Sequence, residues 1–261
     1  MSRNLHLLYY KEYFKGLDFS FLTEEKKEAP ESVKQATKEK NDALCKAGQL
    51  QPIPCPIGTT HTLQFKVLYP GLVTGVGIGH EAKIEGEFKL GMHFDWTYGM
   101  PVIYGSSVKG MLRAYFKDIF NPQTEKEEET DKFKVDIFGE DNKDKKKGYK
   151  NEKSIYDRDI FFDAVILKPD KKGRILCTDS ITSHLKGPLK NPNPITFMKI
   201  APGCTIEFRF KLVDSKIKFK DSDKTLVMKA EEKLEIFKTI LETVGIGAKT
   251  NVGYGQLKAI K

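Results

Sequence analysis

The first place in this chain where spacing suggests chemistry is a lysine set among glycines. The last residues run GIGAKTNVGYGQLKAIK, so Gly245, Gly247, Gly253 and Gly255 bracket Lys249 and Thr250. Glycine lets a backbone turn through positive φ and approach another surface closely. A lysine and backbone amides held in such a turn suit a phosphate. The segment is not a P-loop. That motif needs glycine one and six residues before the lysine, and Ala248 and Thr243 stand there. It must also open a helix, whereas this loop follows a helical pattern and precedes QLKAI, which reads as a strand. A simple helix C-cap with a tight turn at Gly245 is the structural alternative. A backbone-hugging loop for a phosphate polymer is the functional one.

A second constellation is YGSSVKGMLRAY, from Tyr104. Ser106 or Ser107 can cap a helix there, leaving backbone amides free at its N-terminus beside Lys109, with Arg113 one turn on. Such a terminus favours anions through its amides and its dipole, and two cations on the same exposed flank would make a phosphate-binding edge. An ordinary capped helix with solvated basic residues is the competing explanation. The two constellations are expected beside one sheet and near each other. Neither carries a base-reading code, so together they predict tracking of a nucleic-acid backbone.

Catalytic chemistry has weaker signals. His80 follows the glycine run TGVGIGH, His184 lies in DSITSHLKGP, and His61 and His93 flank the first of these. A ribonuclease can use histidine as general base with lysine stabilising the transition state. Gly75, Gly77 and Gly79 miss the dinucleotide spacing, and His80 and His93 form no close ligand pair. Asp163, inside an apolar run, reads as hydrogen-bonded and buried. Cys45, Cys55, Cys177 and Cys204 have neither zinc-knuckle nor disulfide spacing.

The elements that must position these residues are legible in part. The chain has 261 residues, 39% hydrophobic, with net charge +8, which suits a folded protein with a polyanionic partner. No stretch has the length of a membrane span or the form of a secretory signal, and the cytoplasm is expected. Residues about 23–47 are charged and helix-prone, with Thr23 as N-cap and Pro30 as a break; Gln51 to Gly58 is a proline-rich connector. His61 to Tyr69 reads as a strand, and Lys83 to Leu90 alternates as a half-buried one. Ser106 to Phe120 is an amphipathic helix carrying Val108, Met111, Leu112, Tyr115, Phe116 and Ile119. Residues about 121–153 read as a charged, mobile insertion. Asp159 to Leu167 reads as a buried central strand and Thr205 to Val213 as an alternating one. Lys224 to Val244 reads as a second helix, with Ala230, Leu234, Phe237, Leu241 and Val244 inward. The order strand, helix, strand, strand, helix, strand is the ferredoxin-like α+β pattern, shared with RNA-recognition (RRM-like) domains, although no RNP aromatic motif is evident.

The ordered set of motifs resembles the RAMP superfamily of CRISPR proteins and, within it, the sixth-subunit family of the type III-B Cmr effector complex. The glycine-rich form G-x-G-x-K-x-x-x-G-x-G is met by Gly245, Gly247, Lys249, Gly253 and Gly255. TYGMPVIYGSSVKGMLR from Thr97 matches the family's helix start, with Val108 for leucine. FFDAV from Phe161, DSITSH from Asp179 and NPNPITFMKIAPGCTIEFRF from Asn191 follow in order. The resemblance spans roughly Gly71 to the C-terminus and omits the N-terminal region and the 121–153 insertion. It implies one RAMP domain over residues 1–261, ferredoxin-like, with a glycine-rich loop near the C-terminus and inserted segments. It implies a non-catalytic subunit that binds the guide RNA (crRNA) and packs beside other Cmr RAMP subunits toward the guide's 3′ side. Through that complex it would meet target RNA, with no cofactor, metal or membrane. Gly105, Ser106, Ser107, Lys109 and Arg113 would make the helix-start contact; Gly247, Lys249, Thr250, Gly253 and Tyr254 would make the loop contact. No segment matches the catalytic-aspartate loop of the cleaving subunit. The family's hairpin thumb has no matching segment here, and the 121–153 insertion is one candidate for it. The alternatives are a RAMP endoribonuclease that processes precursor crRNA with His80 or His184, and a scaffold without RNA contact.

Overall fold

The computed structural model describes residues 4–23, 28–46, 50–75, 77–120, 127–151, 153–182, 194–219 and 222–260. Its frame is an antiparallel sheet covered on one face by two helices. Strand β1 (His61–Val67) alternates, turning Phe65 and Val67 inward. After β2 (Val102–Ile103) the chain enters helix α3 (Gly105–Ile119), following α1 (Leu5–Leu7, continued by a π-helical turn to Glu12) and α2 (Glu31–Lys46). Val108, Leu112 and Phe116, spaced by four, form the buried stripe of α3. Helices α4 (Glu127–Phe138) and α5 (Asn142–Lys146) come next, then strands β3 (Ile160–Phe161), β4 (Ala164–Lys168), β5 (Leu176–Thr182), β6 (Pro194–Ile200), β7 (Thr205–Lys211), β8 (Ser215–Phe219) and β9 (Ser222–Met228). Helix α6 (Ala230–Val244) and strand β10 (Leu257–Ala259) close the fold.

The main sheet runs β10-β1-β7-β4-β2, with β3 also paired to β7. In register, Phe65 faces Ile206 and Leu63 faces Phe208, and the Phe65 and Phe208 rings meet edge-on at 5.5 Å. Helices α3 and α6 lie together over this face. Phe237 of α6 stands 5.7 Å from both Phe161 and Phe210, ring to ring. On the opposite face Arg209 is buried, and its guanidinium donates to the Pro54 carbonyl at 2.8 Å and the Ile53 carbonyl at 3.0 Å. The proline-rich connector is thereby fastened across β7.

Several expectations are corrected. Residues 83–90 are no strand: Lys83 (φ 57°) and Gly86 (φ 81°) turn the chain left-handed, and Glu87, expected outside, is buried and accepts from the Ala82 N–H. Lys224 is not in a helix; β9 pairs with β8 in a hairpin and α6 begins only at Ala230. The 159–167 run is divided at Phe162–Asp163, where two short strands follow one another along β7. The described part of 121–153 is helical rather than a loose loop, and it is no hairpin. Phe133, Val135, Ile137 and Phe138 of α4 are buried, with Phe138 edge-on to Phe116 at 5.5 Å. Pro30 does mark a boundary, since α2 starts at the next residue; Thr23 instead ends a 3-10 turn over Ser20–Leu22.

The N-terminal segment is held by aromatic packing. His80 is buried and stacked between Tyr9 (4.3 Å) and Tyr13 (4.6 Å), and neither ring nitrogen has a hydrogen-bond partner among the described residues. Burial pushes its pKa down to about 4. An unfolded chain would protonate the same imidazole near pH 6.5. Between these values the unfolded state binds the extra proton, so stability falls as pH falls, by up to ~3 kcal/mol from this group. His80→Phe keeps the stack and is expected to flatten that limb. Urea midpoints at pH 7.5 and 4.5 check it; an equal acid loss in the variant would rule the histidine out as the cause.

Candidate nucleic-acid interface

The glycine loop is built by close backbone approach. Gly245 ends α6 at φ 74°, and Gly255 at φ 73° lies against it, with the Ile246 N–H donating to the Gly255 carbonyl at 3.0 Å. A Cβ on Gly255 would stand 1.9 Å from the Ile246 carbonyl oxygen, and one on Gly247 would stand 2.2 Å from that of Val73. Ala248 N–H donates to the Val73 carbonyl at 2.8 Å. These pinches leave Gly247 exposed and Lys249 and Thr250 half-buried at the crest.

Lys249 itself is left-handed at φ 62°, and a 3-10 turn over Thr250–Val252 follows. A left-handed lysine costs about 1–2 kcal/mol, and such strain marks a position worth a functional explanation. The successive N–H groups of Lys249, Thr250 and Asn251 make no hydrogen bond among the described residues. Consecutive amides in this geometry form an anion-binding concavity. The Lys249 ammonium has no ion-pair or hydrogen-bond partner among the described residues.

Tyr254 is a strut of this loop, not part of its crest. It is buried, its hydroxyl donates to Asp179 at 2.7 Å, and Lys199 both pairs with Asp179 and lies 5.4 Å from the Tyr254 ring centre. Burial and the Asp179 bond raise the Tyr254 pKa, which keeps the hydroxyl a donor. Phe197 of β6 packs on the same ring. The β5–β6 hairpin, whose seven residue pairs run from Leu176–Ile200 to Thr182–Pro194, thus braces the loop.

The helix start differs from expectation in three ways. Tyr104 is the N-cap, so Ser106 and Ser107 lie inside the first turn and cap nothing. Its first amide is not free: the Gly105 N–H donates to the Asp163 carboxylate at 2.7 Å. The bend at Phe162–Asp163 brings that carboxylate in, and a Cβ on Gly105 would stand 2.0 Å from the Phe161 carbonyl oxygen. Asp163 is hydrogen-bonded as expected but exposed. Arg113, expected on an exposed flank, turns inward to Asp144 (2.6 Å), Asp141 (3.1 Å) and the Gly139 carbonyl (2.5 Å), locking α4 and α5 to α3. Lys109 remains half-buried, and its pKa is lowered by burial first and then by Arg113 and Arg158. Arg158, in an irregular charged stretch with no motif around it, had no signal in the sequence. The exposed Ser106 and the half-buried Lys109 and Arg158 are what this corner offers an anion.

The two edges do not meet. The loop lies at the β10 edge, at the strand ends marked by Val67 and Thr205; α3 starts at the β2 edge, at the end marked by Ala164 and Phe210. At ~4.8 Å between neighbouring strands the two edges stand roughly 19 Å apart. They are separate sites on one sheet.

Of the candidate catalytic groups, His80 is enclosed by tyrosines, His93 stacks on Tyr104 at 4.0 Å, and His184 lies outside the described residues. Among the described residues no group of three His, Cys, Asp or Glu side chains is placed to hold a metal ion. No described helix is long and apolar enough to cross a membrane.

Sequence comparison identifies the frame. The RAMP superfamily model matches residues 64–258, about three quarters of the chain. The chain belongs to the RAMP superfamily. The match starts in β1 and ends in β10, so it takes in both edges of this RAMP domain. No curated protein matches the sequence. Among solved structures, a chain of the type III-B Cmr-beta complex bound to cognate target RNA is similar at 21% identity and TM-score 0.51, over 90% of this chain and 67% of that one. Cmr6 from Pyrococcus furiosus aligns at 19% identity and TM-score 0.38, over 77% of this chain and 97% of that one. Cmr4 from the same organism aligns at 13% identity and TM-score 0.33, over 77% and 98%.

Proposed function

We propose that this RAMP protein is a non-catalytic, guide-RNA-binding subunit of a type III-B CRISPR effector, of the sixth-subunit kind. In this reading it packs beside other RAMP subunits on a ferredoxin-like frame. The observation that carries the reading is the glycine loop, where Lys249, which has no ion-pair partner among the described residues, opens a run of three consecutive amides that make no hydrogen bond among those residues. Such a site holds a phosphate oxygen and reads no base, which is what a subunit serving guides of any sequence needs. The sheet order β10-β1-β7-β4 with both helices on one face supports the ferredoxin-like frame. The net charge of +8 supports a polyanionic partner. Superfamily membership and the likeness to a chain of an RNA-bound type III-B complex support the assignment to such an effector. The burial of His80 favours this reading over a nuclease, since an enclosed imidazole cannot reach a scissile phosphate.

Lys249→Ala and Lys109→Glu are expected to weaken binding of single-stranded guide RNA without unfolding the protein. Because the two sites are separate, their effects should add in free energy. Removing one phosphate contact should lower the salt slope of binding by about one. Filter binding at several salt concentrations checks this, and unchanged affinity in both variants would refute the assignment. Cleavage of repeat RNA by the purified protein, lost in a histidine variant, would transfer the assignment to the endoribonuclease.

A further inference from the structure

An aromatic side chain beside the glycine loop stands exposed to solvent. Tyr69 is 84% exposed directly after β1, and its side chain has no hydrogen-bond, ion-pair or ring partner among the described residues. Its backbone is nonetheless held rigidly to the loop on both sides. Leu68 N–H donates to the Gln256 carbonyl at 2.9 Å, and Gly255 N–H donates to the Gly71 carbonyl at 2.8 Å. Pro70 Cδ lies 3.7 Å from where a Cβ on Gly253 would be. The crest that carries Lys249 also carries Val252, 61% exposed, so an aromatic side chain, an aliphatic one and a cation belong to this loop and the segment bonded to it.

That combination is how single strands are bound without sequence preference: cations and amides take the backbone, and an aromatic face takes the base. We propose that Tyr69 is a stacking platform for one unpaired nucleobase of the strand whose phosphate sits on the Lys249–Asn251 amides. The proposal rests on the phosphate-binding reading of that loop and adds a base contact to it. Tyrosine suits the task, since its ring has large area and little rotamer freedom to lose. Every base has a π-face, so the contact is tolerant of guide sequence.

The test uses the full chain and a fluorescently labelled single-stranded 20-nucleotide RNA of mixed sequence, titrated at several salt concentrations. Tyr69→Ala is expected to weaken binding about 5- to 150-fold, the equivalent of ~1–3 kcal/mol per stacked base. Tyr69→Phe should bind as the parent does. The salt slope of Tyr69→Ala should be unchanged, because stacking releases no counterion, whereas Lys249→Ala should reduce it. Quenching of 2-aminopurine placed along the strand should vanish at one position in Tyr69→Ala alone. If Tyr69→Ala binds like the parent while Lys249→Ala is weakened, the platform is refuted and the phosphate site stands. If neither variant changes binding, both are refuted. Loss of a co-purifying protein from Tyr69→Ala at unchanged RNA affinity would make Tyr69 a protein contact and overturn the proposal.

Discussion

Lys233→Met is expected to destabilise the protein by roughly 3–5 kcal/mol, the cost of leaving a buried charge without its partner. Lys233 and Asp159 are both fully buried, and the ammonium reaches the carboxylate at 2.7 Å and the Val213 carbonyl at 2.7 Å. The other carboxylate oxygen accepts from the Val213 N–H at 2.9 Å. One pair therefore joins the residue before β3, the second residue after β7 and the first turn of α6. Asp159→Asn should also destabilise, by leaving Lys233 charged in an apolar site. The double variant Lys233→Met, Asp159→Asn removes both charges and keeps an acceptor for Val213, so it should be more stable than the sum of the singles. For a domain of this size the single lysine change corresponds to roughly 6–20 °C in Tm. Thermal and urea unfolding of the three variants measures the coupling, and a Lys233→Met protein within ~1 kcal/mol of the parent would contradict the buried-pair account.

The same lysine shows where sequence reading runs out. The periodicity of α6 put Phe237 and Leu241 inside, and they are inside. It could not put Lys233 there, because a lysine enters a core only when a distant carboxylate waits for it, and Asp159 is 74 residues away. The strands and helices with a clean period of two or 3.6 were legible: β1, β7, α3 and the body of α6 follow it closely. Lys83 to Leu90 also alternates, yet two left-handed residues break it, and alternation alone does not reveal a backbone that must turn. The charged 121–153 segment read as solvent-loving. Its Asp131, Asp141 and Asp144 instead pair with Lys117, Lys147 and Arg113 across α3–α4–α5, as in the pairing of Asp131 with Lys147 at 2.9 Å, while Phe133, Val135, Ile137 and Phe138 of α4 are buried. For the candidate site, the glycine spacing revealed the loop, but the division of labour within it depended on contacts. Tyr254 read as a ligand contact and braces the loop through Asp179; Tyr69, which stands free beside it, lies outside the motif. The strand order, which sends the helix start to the far edge, is a property of pairing that residue types do not encode locally.

Gly255→Ala should cause a loss comparable to that of the lysine, by a different route. The new methyl would need a left-handed backbone, costing about 1–2 kcal/mol. It would also collide with the Ile246 carbonyl oxygen, 1.9 Å from its ideal position, and relief by backbone shift adds ~1–3 kcal/mol. Gly253→Ala separates the two causes. It lies in the same loop at φ 94°, but its nearest neighbour is Pro70 Cδ at 3.7 Å, so only the conformational term of ~1–2 kcal/mol applies. The shift at Gly255 must pass through Ile246 and the Gly71 carbonyl to which Gly255 is bonded. Those contacts set the position of the Lys249–Asn251 amides, so Gly255→Ala should lose RNA affinity even below its melting range. Gly253→Ala should retain more of it. Melting curves and RNA titrations of the two alanine variants, read together, test whether the pinch at Gly255 holds the anion site in shape. Equal effects at both positions would mean that left-handed strain alone, and not the close approach, controls the loop.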